Sequence, residues 1–89
     1  MSEIEVVRVE DELFRVKVRD GGGQTHHDVT VATADLERLG GPYDSPEDFV
    51  RACFAFLLGR EPKESILREF DISDISRYFT EFEREIASG

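Results

Sequence analysis

A chain of 89 residues holds one domain, because a second core would have too little to bury. With 39% hydrophobic and 35% charged residues, it is too apolar for a disordered tail and too polar for a membrane protein. The net charge of −9, scattered along the chain with an excess in the C-terminal third, repels nucleic-acid phosphate and anionic lipid; it would draw basic partners, but scattered charge reads first as the solvated faces that keep a small protein in solution.

Strands are expected over about residues 4–31, as an antiparallel three-stranded meander. The first spans about Ile4 to Val9, where adjacent Val6 and Val7 spoil a clean alternation. Pairing Val9 with Phe14 and Val7 with Val16 puts those four on the core side; otherwise a bulge corrects the phase. Phe14, Val16 and Val18 alternate with Arg15, Lys17 and Arg19, the period of a half-buried strand. Val29 and Val31 alternate with Asp28 and Thr30, and Asp20-Gly21-Gly22-Gly23 marks the turn between. Two registers keep the valines on one face. One sets Arg15 opposite Asp28 across a Gly21-Gly22 loop, and the other sets Val16 opposite Val29.

Three or four helices are expected over about residues 34–87, packed on one face of the sheet in an α+β fold. Thr33 is a candidate cap for a short helix through Leu36 and Leu39, stopped by Gly40-Gly41-Pro42. Ser45-Pro46-Glu47-Asp48 is a helix start, with a serine cap, proline at the first position and acids in the first turn. The helix that follows, ended by Gly59, carries Phe49, Val50, Cys53, Phe54, Phe56, Leu57 and Leu58. These cover more than one stripe, so it is buried on two sides, by the sheet and by either the C-terminal helix or a second subunit. Pro62 can open another short helix with Ile66, Leu67 and Phe70, its surface carrying a Glu64–Arg68 pair. A last helix, capped by Asp71 or Ser73, places Ile72, Ile75, Phe79, Phe82 and Ile86 in a single apolar seam, with Glu81 and Glu85 repelling each other. Thr80 with Glu83 can restart that helix after a break.

Residues that carry chemistry are few. His26 and His27 point to opposite faces of a strand and cannot chelate one ion from a regular strand; one of them faces the core side. Cys53 sits among apolar residues, where a buried structural thiol is expected. Gly21-Gly22-Gly23 joins two strands and lacks the Lys-Ser/Thr of a phosphate loop. No catalytic, metal-binding or cofactor-binding set stands out. The chain has no basic start followed by an apolar run, no stretch near the ~18 apolar residues of a membrane span, and one cysteine, so a reducing cytoplasmic setting is expected.

The stretch Arg60-Glu61-Pro62-Lys63-Glu64-Ser65-Ile66-Leu67-Arg68-Glu69-Phe70-Asp71, followed by Ile75 and Arg77-Tyr78-Phe79, resembles the C-terminal part of small uncharacterised bacterial proteins. It covers about the last third of the chain and implies a small stand-alone domain, with no activity or site residue attached.

A non-enzymatic protein-interaction module, self-association included, is therefore the leading expectation, with Ile75, Phe79 and Phe82 of the seam as the contact. On that expectation a charge at Phe82 abolishes association and spares the fold. The alternative is a nucleic-acid-linked regulator using the strip Arg15, Lys17 and Arg19, with Arg8 and His26 beside it. Nucleic acid is the less favoured partner, because no aromatic residue is interleaved for base stacking and because an exposed sheet face with alternating charges, including an Arg15–Asp28 pair, is the favoured reading of the strip. The acidic C-terminal helix is a further candidate to cover the strip. A small-molecule binder or small enzyme is the third class, for which no polar constellation is visible.

Overall fold

The computed structural model describes residues 2–89. The fold is α+β. Strands β1 (Glu3–Glu10), β2 (Leu13–Asp20) and β3 (Gly23–Thr30) are followed by helices α1 (Thr33–Leu39) and α2 (Pro46–Leu58). A 3₁₀ turn (Lys63–Ser65) leads into a fourth strand, β4 (Glu69–Asp71), and a second 3₁₀ turn (Ile72–Asp74) into the short helices α3 (Ile75–Tyr78) and α4 (Phe82–Ala87). The sheet order is β1-β2-β3-β4, with β4 parallel to β3, so the sheet is mixed and four-stranded where a three-stranded meander was expected.

The β2–β3 hairpin takes the register that pairs Arg15 with Asp28 and Phe14 with Val29. The Asp20 carboxylate accepts from the Gly22 N–H at 2.8 Å, a local Asx bond that tightens the turn. Gly23, at φ 123°, is where the turn needs glycine, since a Cβ is strained there. In β1 the phase resolves in favour of a bulge. Ile4 pairs with Val18 and Val6 with Val16 on the core side, and the register slips between Arg8 and Glu10. Val7 and Val9 therefore face outward, 61% and 43% exposed, opposite to the pairing that would have put them inside.

Helix α1 starts where expected, but Thr33 is not its cap. Ala32 holds that position, and the cap comes from the β1–β2 turn, where the Glu12 carboxylate accepts from the Thr33 N–H at 2.8 Å and its hydroxyl at 3.0 Å. Helix α2 follows its sequence signals. Ser45 accepts from the Asp48 N–H, Pro46 is the first helical residue and Gly59 closes the end.

Both sides of α2 are buried, and the chain itself covers them. Toward the sheet, Phe54 packs against His27 and Phe70 with ring centroids 5.3 and 5.8 Å apart. On the other side Phe56 meets Phe79 and Phe82 edge-on, at 5.8 and 5.1 Å. The outward alternates of the sheet, among them Arg15, Arg19 and His26, remain exposed, so the helices lie on one face.

The last third departs most from a helical reading. The segment after Pro62 makes one 3₁₀ turn and then runs extended along the open edge of β3, with Phe70 beside Val29. With no helix there, Glu64 and Arg68 are not paired, and Glu64 binds Lys63 instead. Asp71 caps the next turn, accepting from the Ser73 N–H, while Asp74 accepts from the Asp71 N–H. The seam Ile72–Ile86 is not one helix. It breaks at Phe79, which turns extended (φ −131°, ψ 96°), and α4 restarts behind Glu81 with no side-chain cap from Thr80. The break lets Phe79 and Phe82 both reach Phe56. Glu81 and Glu85 do not simply repel each other, because Arg60 bridges them at 3.2 and 2.9 Å while its guanidinium lies 3.6 Å over the Phe56 ring.

Candidate functional site

His27 faces the core and His26 does not. At His27, Nδ1 lies 2.8 Å from the Leu67 carbonyl oxygen and Nε2 lies 2.8 Å from Thr25 Oγ1. A carbonyl only accepts, so Nδ1 carries the proton and Nε2 accepts from the threonine hydroxyl. Burial holds the imidazole pKa below its ordinary 6.5, which keeps the ring neutral. Both nitrogens are engaged, and the ring works as a strut from β3 to the segment that leads into β4. Cys53 is fully buried, and burial pushes its thiol well above the ordinary range, out of reach as a nucleophile.

Lys63 gives no sequence signal of importance, yet its side chain is 4% exposed. Its ammonium donates to Asp20 at 2.8 Å and Glu64 at 2.6 Å, which pins the β2–β3 turn to the crossover and raises the lysine pKa. Among the described residues, no group of three or more His, Cys, Asp or Glu side chains is placed to hold a metal ion. No described helix is long and apolar enough to cross a membrane.

Arg15, Lys17 and Arg19 do lie together on the outer sheet face, but each is paired there. Arg15 meets Asp28 at 3.1 Å, Lys17 meets Glu5 at 3.2 Å, and Arg19 meets Glu3 at 2.6 Å and Glu5 at 3.6 Å. The partners come from β1 and β3, not from the C-terminal helix. The Arg19 guanidinium holds the Glu3 carboxyl below its usual range. Arg8 donates to the Asp11 carbonyl and sits 5.4 Å over the Phe14 ring. Three carboxylates thus match three cations on one face, and the strip carries no net positive field.

Of the seam, Ile75 and Phe82 are 3% and 0% exposed, so a charge at Phe82 would unfold the domain and not merely dissociate it. Phe79 is half-buried and lines a cleft of roughly 260 Å³ between the end of α2, the edge of β4 and α3. Leu57, Ile66 and Ile75 make its floor, and Phe70 stands with Phe79 as its walls. Leu67 and Tyr78 form the rim, 56% and 73% exposed. Two carboxylates, Glu61 and Asp74, lie in the lining, and no cation does.

The cleft is lined by short elements that follow one another between Lys63 and Tyr78. The stretch Ile66–Leu67 sends Ile66 inward and Leu67 outward, β4 presents Phe70, and α3 is too short to turn Tyr78 under. No nucleophile–base pair lines the cleft, so its chemistry is the burial of an apolar group beside a carboxylate. A wider hollow of about 820 Å³ around Glu10–Glu12, Leu13 and Thr30 is open to solvent, and its Glu12 is committed to capping α1.

No protein-family model matches the chain, no curated protein matches its sequence, and no solved structure matches its fold.

Proposed function

We propose that this domain is a non-enzymatic protein-interaction module that docks a partner's apolar side chain in the cleft between α2, β4 and α3. The observation that carries the reading is the pair Leu67 and Tyr78, large and exposed at the rim of an apolar hollow on a protein whose other aromatic side chains are at least half-buried. The cleft's volume falls below the ~300–1,000 Å³ of small-molecule sites. It suits one inserted side chain better than a metabolite. The pairing of Arg15, Lys17 and Arg19 with Asp28, Glu5 and Glu3 favours a protein partner over a nucleic acid. A cytoplasmic setting fits the single, unpaired Cys53.

The test is capture of partners from native lysate of the source organism with the wild-type chain and with Leu67→Ser, each with and without nuclease. Retention of a stoichiometric protein by wild type, loss of it by Leu67→Ser, and unchanged melting of the variant are the expected results. A partner held equally by both proteins, or only while nucleic acid is intact, overturns the reading.

A further inference from the structure

We infer that the partner is a second copy of this chain, docked across a two-fold axis so that Tyr78 of each copy enters the cleft of the other. The inference rests on the reading of the cleft as a docking site and names its occupant.

One patch carries both halves of the contact. The socket is the apolar floor with Glu61 and Asp74 in its lining and no cation among its residues. The Glu61 backbone N–H donates to the Leu57 carbonyl at 2.9 Å, but its carboxylate has no hydrogen bond or ion pair among the described residues. The plug is on the rim. Tyr78 is 73% exposed, and its chain neighbour is Arg77. Arg77 is 79% exposed and its nearest carboxylate, Asp74, is 3.9 Å away. Arg19 at 2.6 Å, Arg51 at 2.7 Å and Arg38 at 2.8 Å are engaged far more tightly, whereas Arg68 and Arg84, which do not line the cleft, have no ion pair among the described residues.

An acceptor without a donor and a loosely held donor therefore sit beside a hollow and a bulky side chain that fits a hollow. A patch that is complementary to itself is what a two-fold interface requires, because the same residues meet from both sides. Reciprocal insertion brings Arg77 of each copy against Glu61 of the other. Tyrosine and arginine are also the residue types that dominate interface energetics.

Charge separates this occupant from the other candidate, a foreign basic segment. Two copies at −9 each repel at long range, and that repulsion shrinks as the screening length falls from about 30 Å at 0.01 M salt to about 8 Å at 0.15 M. Self-association therefore strengthens with salt over this range. Binding of a cationic peptide to an acidic protein weakens.

The experiment is sedimentation equilibrium of the full chain at both salt concentrations for wild type, Tyr78→Ala, Arg77→Glu, Glu61→Arg and the double reversal. Wild type is expected to dimerise reversibly, more at the higher salt. Tyr78→Ala and each single reversal should weaken the dimer about tenfold or more, and the double reversal should restore it to within about threefold. Glu61→Arg is the sharpest variant. It lowers the magnitude of the net charge, so general repulsion calls for a tighter dimer and the specific contact calls for a weaker one.

A dimer indifferent to these substitutions, or one the double reversal does not restore, overturns the proposal. If wild type stays monomeric, titration with a Lys-Phe-Lys peptide followed by amide resonances decides what else falls. Shifts at Leu67 and Tyr78 that fade with salt overturn the second copy and leave the docking reading standing. No shifts overturn both.

Discussion

Strands β1–β3 with α2, and the stretch from Lys63 to Ala87, use the same kinds of residue and bury them differently. In the first region each element is long enough to complete its period: strands of eight residues and a helix of thirteen. Phe14, Val16 and Val18 on β2, and Phe49, Val50, Cys53 and Phe54 on α2, all go inside together. In the second region no element exceeds six residues, and caps and tertiary contacts decide which way each side chain points. Ile66, Ile72, Ile75, Phe82 and Ile86 go in, while Leu67 and Tyr78 stay out. A regular element sorts its residues by period. A chain of short pieces sorts them one at a time, and a cleft forms where the sorting leaves apolar groups on both sides of the surface.

Core truncation on each side tests whether the two regions are one cooperative unit. Phe54→Ala and Phe82→Ala, both fully buried, are each expected to cost about 3–5 kcal/mol in urea unfolding with a single transition. A much smaller loss at Phe82, or a second transition, would mean that the C-terminal third is a separable layer.

The junction between the regions is His27. Replacing it with Leu leaves the Leu67 carbonyl and the Thr25 hydroxyl without their partner, for an expected loss of about 1–3 kcal/mol. Acidification reads the same contact without mutation. The folded-state pKa lies below 6.5, so the unfolded chain takes up the proton first, and stability falls as pH drops from 6.5 toward the folded value. The carboxyls of Glu3, Glu64 and Glu83, held below 4.5 chiefly by hydrogen bonds from Arg19, Lys63 and Arg38, and that of Glu81, held there first by backbone hydrogen bonding and then by Arg60, add losses as the pH falls below about that value. A chemical-denaturation series should therefore show two acid steps in wild type, with the upper one absent from His27→Leu.

Caps give a finer comparison. Ser45→Ala in the regular region and Asp71→Ala in the irregular one should each cost about 1 kcal/mol. A larger effect at Asp71 would show that short elements lean harder on their ends. The smallest effect belongs to the outer sheet face, where Arg15→Ala removes an exposed pair and should change the unfolding midpoint by no more than about 0.5 kcal/mol equivalent.

How far each region was legible follows the same division. The α2 start at Ser45-Pro46, its stop at Gly59 and the alternation of Phe14–Val18 are local signals, and the structure keeps them. The α+β class follows from them. The fourth strand was not legible, because Glu69-Phe70-Asp71 is too short to show a period and takes its shape from the open edge of β3. The cap from Glu12 to Thr33, the Arg60 bridge and the covered Lys63 each join positions far apart in the chain. The cleft has the same origin. Phe79 and Ile75 were visible as a seam, but Leu67 and Tyr78 looked like ordinary helix positions until the break at Phe79 and the extension after Ser65 put them on one rim.

The parallel pairing of β4 with β3 also sets an order in time. Hairpins β1–β2 and β2–β3 close small loops and can form within microseconds, whereas Asp28 must wait for Glu69 to arrive across both α1 and α2. Loop closure of that length is the late entropic step, so the strand that walls the cleft is laid down after the rest of the sheet. A growing chain therefore has no complete cleft until most of its length has emerged. The same ordering read backwards makes the Asp28 N–H, which donates to the Arg68 carbonyl at 2.7 Å, the amide whose exchange should report the opening of β4.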